Sequence, residues 1–500
     1  MSHDPSPADG RNVRATDAAS DRAVASNSAA LLGSRVLMSA MGWAGSIVAA
    51  RSLSPEQWGQ FSFVFGLLGL LSVVTDLGVG RVVLSQLLVD DADEVARVAG
   101  AFVALRMTLG LVGYAVALGY VVLLDYPTAV LAATAIGGVV VVLATPSHAL
   151  TVLFQSRLRL TVVALAEAVG QVLQLALTVA AALWAPGLLI FVLPFVANEI
   201  LQLIVKLRRT RRGNAGPVSM RHIEFGRWRA MLTDALPLTV GMGLASLLYK
   251  VDILLLSRLD TFDAVGLYSV SVKFADALVL VAVAVVTPVM TVLVGAWRTD
   301  MERFRATTAR AATVLVALGC GAVAGFWPAA EPIIGIFYGP HFRQAAGAAQ
   351  LLVVGAFLAM LTYLGFTVLV AAGQQRWYPV VGIVGLSVNV AANLVLIPAQ
   401  SFRGAAVATL VTEFVVLVVI ATLVDRTVRT RGLVPLRQVS GLMALTVAVV
   451  SGAALIGELV PWPVRAGGCV VAVAVGAWVL GYPGTRRSRA VPTASGSGRG

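Results

Sequence analysis

The chain has little of what a soluble enzyme needs. Only 12% of its 500 residues are charged and 58% are hydrophobic, which excludes a soluble domain. Both cysteines, Cys320 and Cys469, lie in apolar stretches, so the sequence indicates neither a disulfide framework nor a cysteine metal cluster. The four histidines form no His-Glu-x-x-His pair, and no Gly-rich loop ends in Gly-Lys-Ser/Thr. We therefore expect no enzymatic activity, cofactor or metal centre.

Long apolar runs fill most of the chain. We predict fourteen membrane spans, most of them 20 residues or longer and able to cross a bilayer core of about 30 Å. The predicted fold class is all-α, a polytopic membrane protein. The spans are 28–50, 59–88, 98–124, 129–153, 160–184, 187–206, 231–256, 265–296, 309–327, 345–371, 378–399, 404–424, 438–457 and 463–483.

Lysine and arginine are distributed unevenly between the two ends of these spans. The connections from odd to even spans hold five of the 37: Arg51, Arg258, Arg343, Arg403 and Arg465. Because cationic loops are retained in the cytoplasm, we predict that both termini are cytoplasmic. The net charge of +12 is then a topological signal beside anionic lipid headgroups, and no nucleic-acid partner is expected.

An internal repeat divides the chain. The segments RSLSPEQWGQFS (51–62) and RLDTFDAVGLYS (258–269) share Arg, Gly, an aromatic and Ser at the same offsets, and Gln155 matches Gln374. Each match pairs a span with the sixth span after it, so the halves are expected to be parallel repeats. The predicted parts are a disordered cytoplasmic tail (1–27), a six-helix lobe (28–207), a basic cytoplasmic connection (208–230), a second six-helix lobe (231–424), two additional helices (425–483) and a disordered cytoplasmic tail (484–500).

Ionisable residues inside the spans are the first candidates for a site. A charge at mid-bilayer costs about 2.5–3.5 kcal/mol on insertion scales, so such residues face a cavity or a partner. The planar fork of arginine suits phosphate and pyrophosphate, although ion pairs such as Lys273 with Asp276 can also simply tie helices together. The candidate anion-binding residues are Arg35, Arg81, Arg106, Lys250 and Lys273, and the candidate ion-coupling or charge-partner residues are Asp76, Asp252, Asp276 and Glu167.

Uncharged polar residues also recur at helical spacing. Gln171 and Gln174 follow Glu167 in the fifth span, and Asn389 and Asn393 lie in the eleventh span, its equivalent in the repeat. Facing a cavity, these amides would contact sugar hydroxyls; facing neighbouring helices, they would form interhelical hydrogen bonds worth about 0.6 kcal/mol each. The sequence leaves both interpretations open.

Three segments resemble the bacterial polysaccharide and oligosaccharide-lipid flippases of the multidrug/oligosaccharidyl-lipid/polysaccharide exporter superfamily. They are Ala50–Val83 with Asp76-Leu77-Gly78, Pro332–Ala346, and NVAANLVLIPAQSFRGAAVAT at Asn389–Thr409. The resemblance covers spans 1 to 12 in order. It implies a V-shaped pair of six-helix lobes in the bacterial inner membrane. The cargo that the resemblance implies is a polyprenyl-pyrophosphate-linked oligosaccharide, moved to the outer leaflet by alternating access. The implied protein partners are other polysaccharide assembly proteins.

Three alternatives remain beside this flippase function for cell-surface polysaccharide. A peptidoglycan-precursor flippase would use cations on the first, second and eighth spans, where Arg35, Arg81 and Lys273 lie. A cation-coupled multidrug exporter would use acids in the cavity, such as Asp76 or Asp276. A glycan polymerase or ligase would need catalytic residues in an outer loop, and the longest predicted one holds few titratable groups.

Overall fold

The computed structural model describes residues 37–76, 78–88, 91–213, 218, 224–428 and 436–480, and in these residues all regular structure is helical. Fifteen α-helices follow one another along them. They are α1 (37–52), α2 (Pro55–Asp76), α3 (Val79–Gln86), α4 (Ala92–Leu123), α5 (Thr128–Ser156), α6 (Leu160–Trp184), α7 (Leu188–Arg211), α8 (Phe225–Leu259), α9 (Phe262–Ala296), α10 (Met301–Phe326), α11 (Ala330–Tyr338), α12 (Ala346–Ala371), α13 (Tyr378–Val428), α14 (Leu436–Ile456) and α15 (Trp462–Val479).

The all-α membrane fold predicted from the apolar runs is confirmed. Within the described residues, ten helical segments are long and apolar enough to cross a membrane. The segment Gln375–Val428 contains two predicted spans, so the ten segments include eleven of the fourteen. Spans 1, 2 and 7 fall partly on residues or side chains outside the described part, so the number fourteen stays a prediction.

The chain forms two compact units. The first comprises the described residues within 1–52, 80–122 and 131–231, and the second those within 53–79, 123–130 and 232–500. Two residues at the start of α8 belong to the first unit and contact α4 there. Arg227 forms an ion pair with Glu94 on α4, with Nη2 and Oε2 3.1 Å apart, and the indole of Trp228 donates to the carbonyl of Ala101 at 3.0 Å. The hydrogen bonds from Arg227 and then Arg97 hold the pKa of the Glu94 carboxyl below its ordinary value.

The second predicted span, 59–88, is divided between two helices, because α2 ends at Asp76 and α3 begins at Val79. Between them Gly78 has φ 61°, in the left-handed region that glycine adopts without steric cost. The predicted span ran through this break because apolar residues lie on both sides of the short polar segment Asp76–Arg81.

Helix α13 changes direction at Ser401, where φ is 56° and ψ is −141°. The break lies where the sequence predicts the connection between spans 11 and 12. Gly404 makes the sharp turn possible, since a Cβ there would overlap the backbone of Leu396 and lie 3.0 Å from the amide nitrogen of Ile397. A side chain at this position would force the two halves of α13 apart.

Equivalent residues of the predicted repeat contact each other where α2 packs on α9 in the second unit. A Cβ on Gly59 would lie 2.9 Å from the amide nitrogen of Gly266, and one on Gly266 would lie 3.3 Å from that of Gly59. One turn further, the Ser62 hydroxyl donates to Ser269 Oγ at 3.0 Å. Glycine therefore meets glycine and serine meets serine, as expected for residues on the axis of a two-fold repeat.

Candidate functional site

A buried carboxylate on α8 is the centre of the most complete polar cluster in the second unit. Asp252 is 5% exposed and accepts three hydrogen bonds. Its Oδ2 accepts from the Tyr268 hydroxyl on α9 at 2.6 Å and from Thr409 Oγ1 on α13 at 2.8 Å. Its Oδ1 accepts from Asn393 Nδ2, also on α13, at 2.8 Å. Three helices thus converge on one acid.

The two asparagines predicted from their helical spacing belong to this cluster. Asn393 and Asn389 are one turn apart and almost fully buried, at 0% and 1% exposure. Asn393 Nδ2 lies 2.9 Å from Asn389 Oδ1, while the carbonyl oxygen Asn393 Oδ1 is buried and accepts no hydrogen bond from any described residue. A buried amide oxygen without a donor is costly, and it marks a place where an acceptor is in surplus.

The chemistry of the cluster suits a small hard cation. Its oxygens come from a carboxylate, two amides, two hydroxyls and the Ala405 carbonyl, which accepts from Thr409 Oγ1 at 3.0 Å. Oxygen donors of this kind are the preferred ligands of hard cations, and one carboxylate balances one positive charge. The described residues contain no group of three or more His, Cys, Asp and Glu able to hold a metal ion, so the donor set fits a monovalent cation better than a transition metal.

Two lysines lie inside the helices of the same unit. Lys250 precedes Asp252 on α8, and Lys273 follows Tyr268 on α9; both are partly buried. No salt bridge or hydrogen bond joins Lys273 to Asp276, although the carboxylate attracts the ammonium electrostatically. Lys250 forms no salt bridge or hydrogen bond with the described residues. The ion-pair interpretation of Lys273 and the anion-binding interpretation therefore both stay predictions.

The first unit holds a different polar network, on α5, α6 and α7. Lys206 is 1% exposed, and its ammonium donates to Ser147 Oγ at 2.9 Å and Gln202 Oε1 at 3.3 Å. The chain of hydrogen bonds continues from Gln202 to Asn198 Oδ1 at 3.0 Å and from Asn198 to Gln174 Oε1 at 2.7 Å. The predicted residue Gln174 thus bonds to a neighbouring helix. Gln171 and Glu167 are partly buried on the same helix, α6.

The remaining predicted residues are dispersed. Arg106 is 1% exposed on α4, and its Nε donates to the Thr145 carbonyl at 3.3 Å, so it is enclosed by helix packing. Arg81 is exposed on α3, and Asp76 is partly buried at the end of α2. Arg35 lies outside the described residues. The structure brings together Asp252, Asn389 and Asn393.

Sequence reasoning missed several members of these clusters, among them Tyr268, Thr409 and Lys206 and the partners Ser147, Asn198 and Gln202. Tyr268 appeared only as an aromatic of the repeat, and Thr409 only as the end of a family-like segment. Lys206 lies at the last position of a predicted span, where it reads as an interfacial cation. The rarity of lysine was the available signal, since the chain has 34 arginines and three lysines.

The fold is similar to those of solved lipid and drug transporters. The chain is similar to a lipid II flippase, MurJ, in an inward closed conformation, with 11% identity, 89% of this chain and 96% of that chain covered, and a TM-score of 0.68. It is similar to an inward-facing multidrug resistance MATE transporter of the multidrug/oligosaccharidyl-lipid/polysaccharide exporter superfamily, with 12% identity, 78% and 94% coverage, and a TM-score of 0.68. A transporter of this superfamily from Pyrococcus furiosus matches with 13% identity, 79% and 93% coverage, and a TM-score of 0.57.

The sequence profile of the family described as "Polysaccharide biosynthesis protein" matches residues 48–347, and the chain belongs to this family. The resemblance to polysaccharide flippases drawn from Ala50–Val83 and Pro332–Ala346 is therefore confirmed, and both segments lie in the matched range. The third segment, Asn389–Thr409, lies beyond it. No curated protein sequence matches the chain at the threshold applied.

Proposed function

We propose that this protein is a flippase that moves a polyprenyl-pyrophosphate-linked oligosaccharide from the inner to the outer leaflet for cell-surface polysaccharide biosynthesis. The observation that carries the proposal is the conjunction of a polysaccharide biosynthesis family with the fold of lipid and drug transporters. It acts in the bacterial inner membrane with both termini in the cytoplasm, consistent with the charge asymmetry of the sequence. Transport proceeds by alternating access of the lobes 28–207 and 231–424. The protein acts together with other polysaccharide assembly proteins.

In this proposal the pyrophosphate is held by the cations within the spans. Lys250 and Lys273 are the best supported, because they lie inside helices and form no ion pair with the described residues. Arg35 and Arg81 receive the headgroup from the cytoplasmic side. Arg106 is the least accessible of the proposed cations, since its guanidinium is enclosed and donates to the Thr145 carbonyl. The polyprenyl tail stays in the lipid.

Coupling is assigned to the cluster around Asp252. A monovalent cation or a proton on this carboxylate would neutralise a buried charge that three helices share, and its departure would change the stability of their packing. Asn393 and Asn389 therefore serve coupling in this proposal rather than sugar contact. Asp276 and Glu167 have no comparable set of hydrogen-bond donors among the described residues.

A peptidoglycan-precursor flippase is the second candidate, because the fold also matches the lipid II flippase over most of both chains. Both candidates need a polyprenyl-pyrophosphate cargo and differ only in the sugar. A cation-coupled drug exporter is the third, supported by the match to the MATE transporter and by the Asp252 cluster. Membership of the polysaccharide biosynthesis family favours the first.

Export is tested by deleting the gene and following the lipid-linked glycan by leaflet-specific labelling. The proposal expects intact intermediates on the cytoplasmic leaflet and their release when the wild-type chain is supplied. Lys273→Gln should reproduce the deletion in a folded protein, whereas Arg310→Gln, on α10 at the basic end of a span, should not. Normal glycan export in the deletion strain would contradict the flippase function, and accumulation of peptidoglycan precursor instead would favour the second candidate.

Coupling is tested on purified protein by its thermal stability in NaCl, LiCl, KCl or choline chloride. A ligand bound only by the folded state at 100 times its Kd adds about 2.7 kcal/mol. One small cation should raise Tm over choline at equal ionic strength, and Asp252→Asn should abolish that rise. Asp234→Asn, an exposed carboxylate on the same helix, should retain it. If the cation raised Tm equally in both variants, the Asp252 cluster would not be the cation site.

A further inference from the structure

A charged cavity lies at the end of the second unit that is opposite to the basic end of the spans. Its volume is about 320 Å³, and it is open on one side. Glu331 from the first turn of α11, Arg343 from the short 3₁₀ segment Pro340–Ala345, and Trp462 and Arg465 from the start of α15 line it. The predicted additional helices thus build one wall, and the segment between spans 9 and 10 builds the other.

The described charged residues that line the cavity are two arginines and one glutamate. Within the described part of the chain, neither Arg343 nor Arg465 forms an ion pair or a side-chain hydrogen bond, and Glu331 pairs with neither of them. The Nε of Arg465 is buried and has no acceptor among those residues, so no described contact neutralises this guanidinium. The outer N–H groups of the two guanidiniums therefore remain as donors for a ligand oxygen.

The shape and the aromatic residue restrict the class of ligand. Guanidinium forks bind carboxylate or phosphate oxygens in pairs. Trp462 adds an amphipathic ring, with an apolar face and an N–H donor, to a wall otherwise made by the Val460–Pro461 turn. A cavity of 320 Å³ is at the small end of ligand sites, sufficient for one sugar ring with its substituents.

We propose that this cavity binds an acidic saccharide, with the sugar carboxylate between Arg343 and Arg465 and the ring against Trp462. Glu331 accepts from a sugar hydroxyl and disfavours ligands with higher negative charge. The site is separate from the Asp252 cluster and from the lysines inside the spans. Its role at the export side rests on the proposed function, but its binding chemistry does not.

Isothermal titration calorimetry of the full chain in phosphatidylcholine nanodiscs tests the assignment, with sodium glucuronate, glucose and inorganic phosphate as probes. Glucuronate should bind at least about tenfold more tightly than glucose, since glucose lacks the charge-assisted contacts. Arg343→Gln and Arg465→Gln should each weaken glucuronate about tenfold. Arg403→Gln removes an arginine from the same predicted side but outside the cavity, and should change nothing. Trp462→Ala should weaken glucuronate and leave phosphate unaffected.

Three outcomes would overturn the proposal. Glucuronate affinity could be unchanged in Arg343→Gln, which replaces an exposed side chain and is expected to fold. Glucose could bind as tightly as glucuronate. Exchange of the nanodisc lipid for phosphatidylglycerol could abolish glucuronate binding, which would assign the cavity to a lipid headgroup. None of these outcomes depends on transport, so normal export with failed binding would reject this site alone.

Discussion

The contact between Gly59 and Gly266 allows a sharp test of how α2 and α9 pack. In Gly59→Ala the new Cβ would overlap the carbonyl of Phe262 and lie 2.9 Å from the amide nitrogen of Gly266. These are backbone atoms, so no side chain can rotate away and the helices must separate. Overpacking of this kind typically costs about 1–3 kcal/mol. In the interior of a helix without such a contact, alanine is instead more stable than glycine by roughly 0.5–1 kcal/mol.

Gly69 on α2 and Gly295 on α9 provide matched controls, because a Cβ at either would have no heavy atom within 4 Å. We expect Gly59→Ala and Gly266→Ala to lower the Tm of the purified protein, while Gly69→Ala and Gly295→Ala leave it unchanged or raise it. The double variant should cost less than the sum of its singles, because one separation of the helices relieves both overlaps. Equal Tm values for Gly59→Ala and Gly69→Ala would refute the close approach.

Three further changes test other parts of the structure. Lys206→Met should lower Tm, because it removes a buried ammonium that Glu167 and Glu199 attract and that donates to Ser147 and Gln202. Ser147→Ala should lower the stability by about 1–2 kcal/mol through the lost acceptor, and thermal unfolding of both variants decides. Gly404→Ala should lower Tm, because its Cβ would overlap the backbone carbonyl of Leu396. The pKa of Glu94 is depressed by its hydrogen bonds with Arg227, so its stabilising effect is present above its ordinary pKa and lost as pH falls through the depressed value. Glu94→Gln should therefore flatten the acid limb of a Tm-against-pH curve, and an unchanged limb would contradict this.

Hydropathy was sufficient to predict the helical membrane fold, because each span must form its backbone hydrogen bonds internally. Its apolar side chains then face either the protein core or the lipid. It was insufficient at backbone breaks. The turn at Gly78 lies between two apolar runs that the span prediction joined, and Gly78 adopts a positive φ there. The break at Ser401 was easier to predict, because polar residues and a proline interrupt the run there.

The candidate site could be predicted only as far as its members share one helix. Asn389 and Asn393 are four apart, and that spacing on an apolar helix identified them. Their partners come from distant parts of the chain, since Asn393 and Thr409 contact an aspartate 141 and 157 residues earlier. Periodicity within a segment contains no information about such pairs. The burial of these residues and the distances between them in the folded chain identified the pairs.

The predicted repeat is unequal at the Asp252 cluster. The offset that aligns Arg51 with Arg258 places Gly45 at the position of Asp252 and Phe61 at that of Tyr268. These two positions of the first repeat therefore lack the carboxylate and the hydroxyl that donates to it. The sixth predicted span of the first repeat instead ends in Lys206, whose ammonium donates to Ser147 and Gln202 and is attracted by Glu167 and Glu199. Under the proposed function, this difference places the coupling cation in the second repeat, where the Asn393 amide oxygen has no hydrogen-bond donor among the described residues.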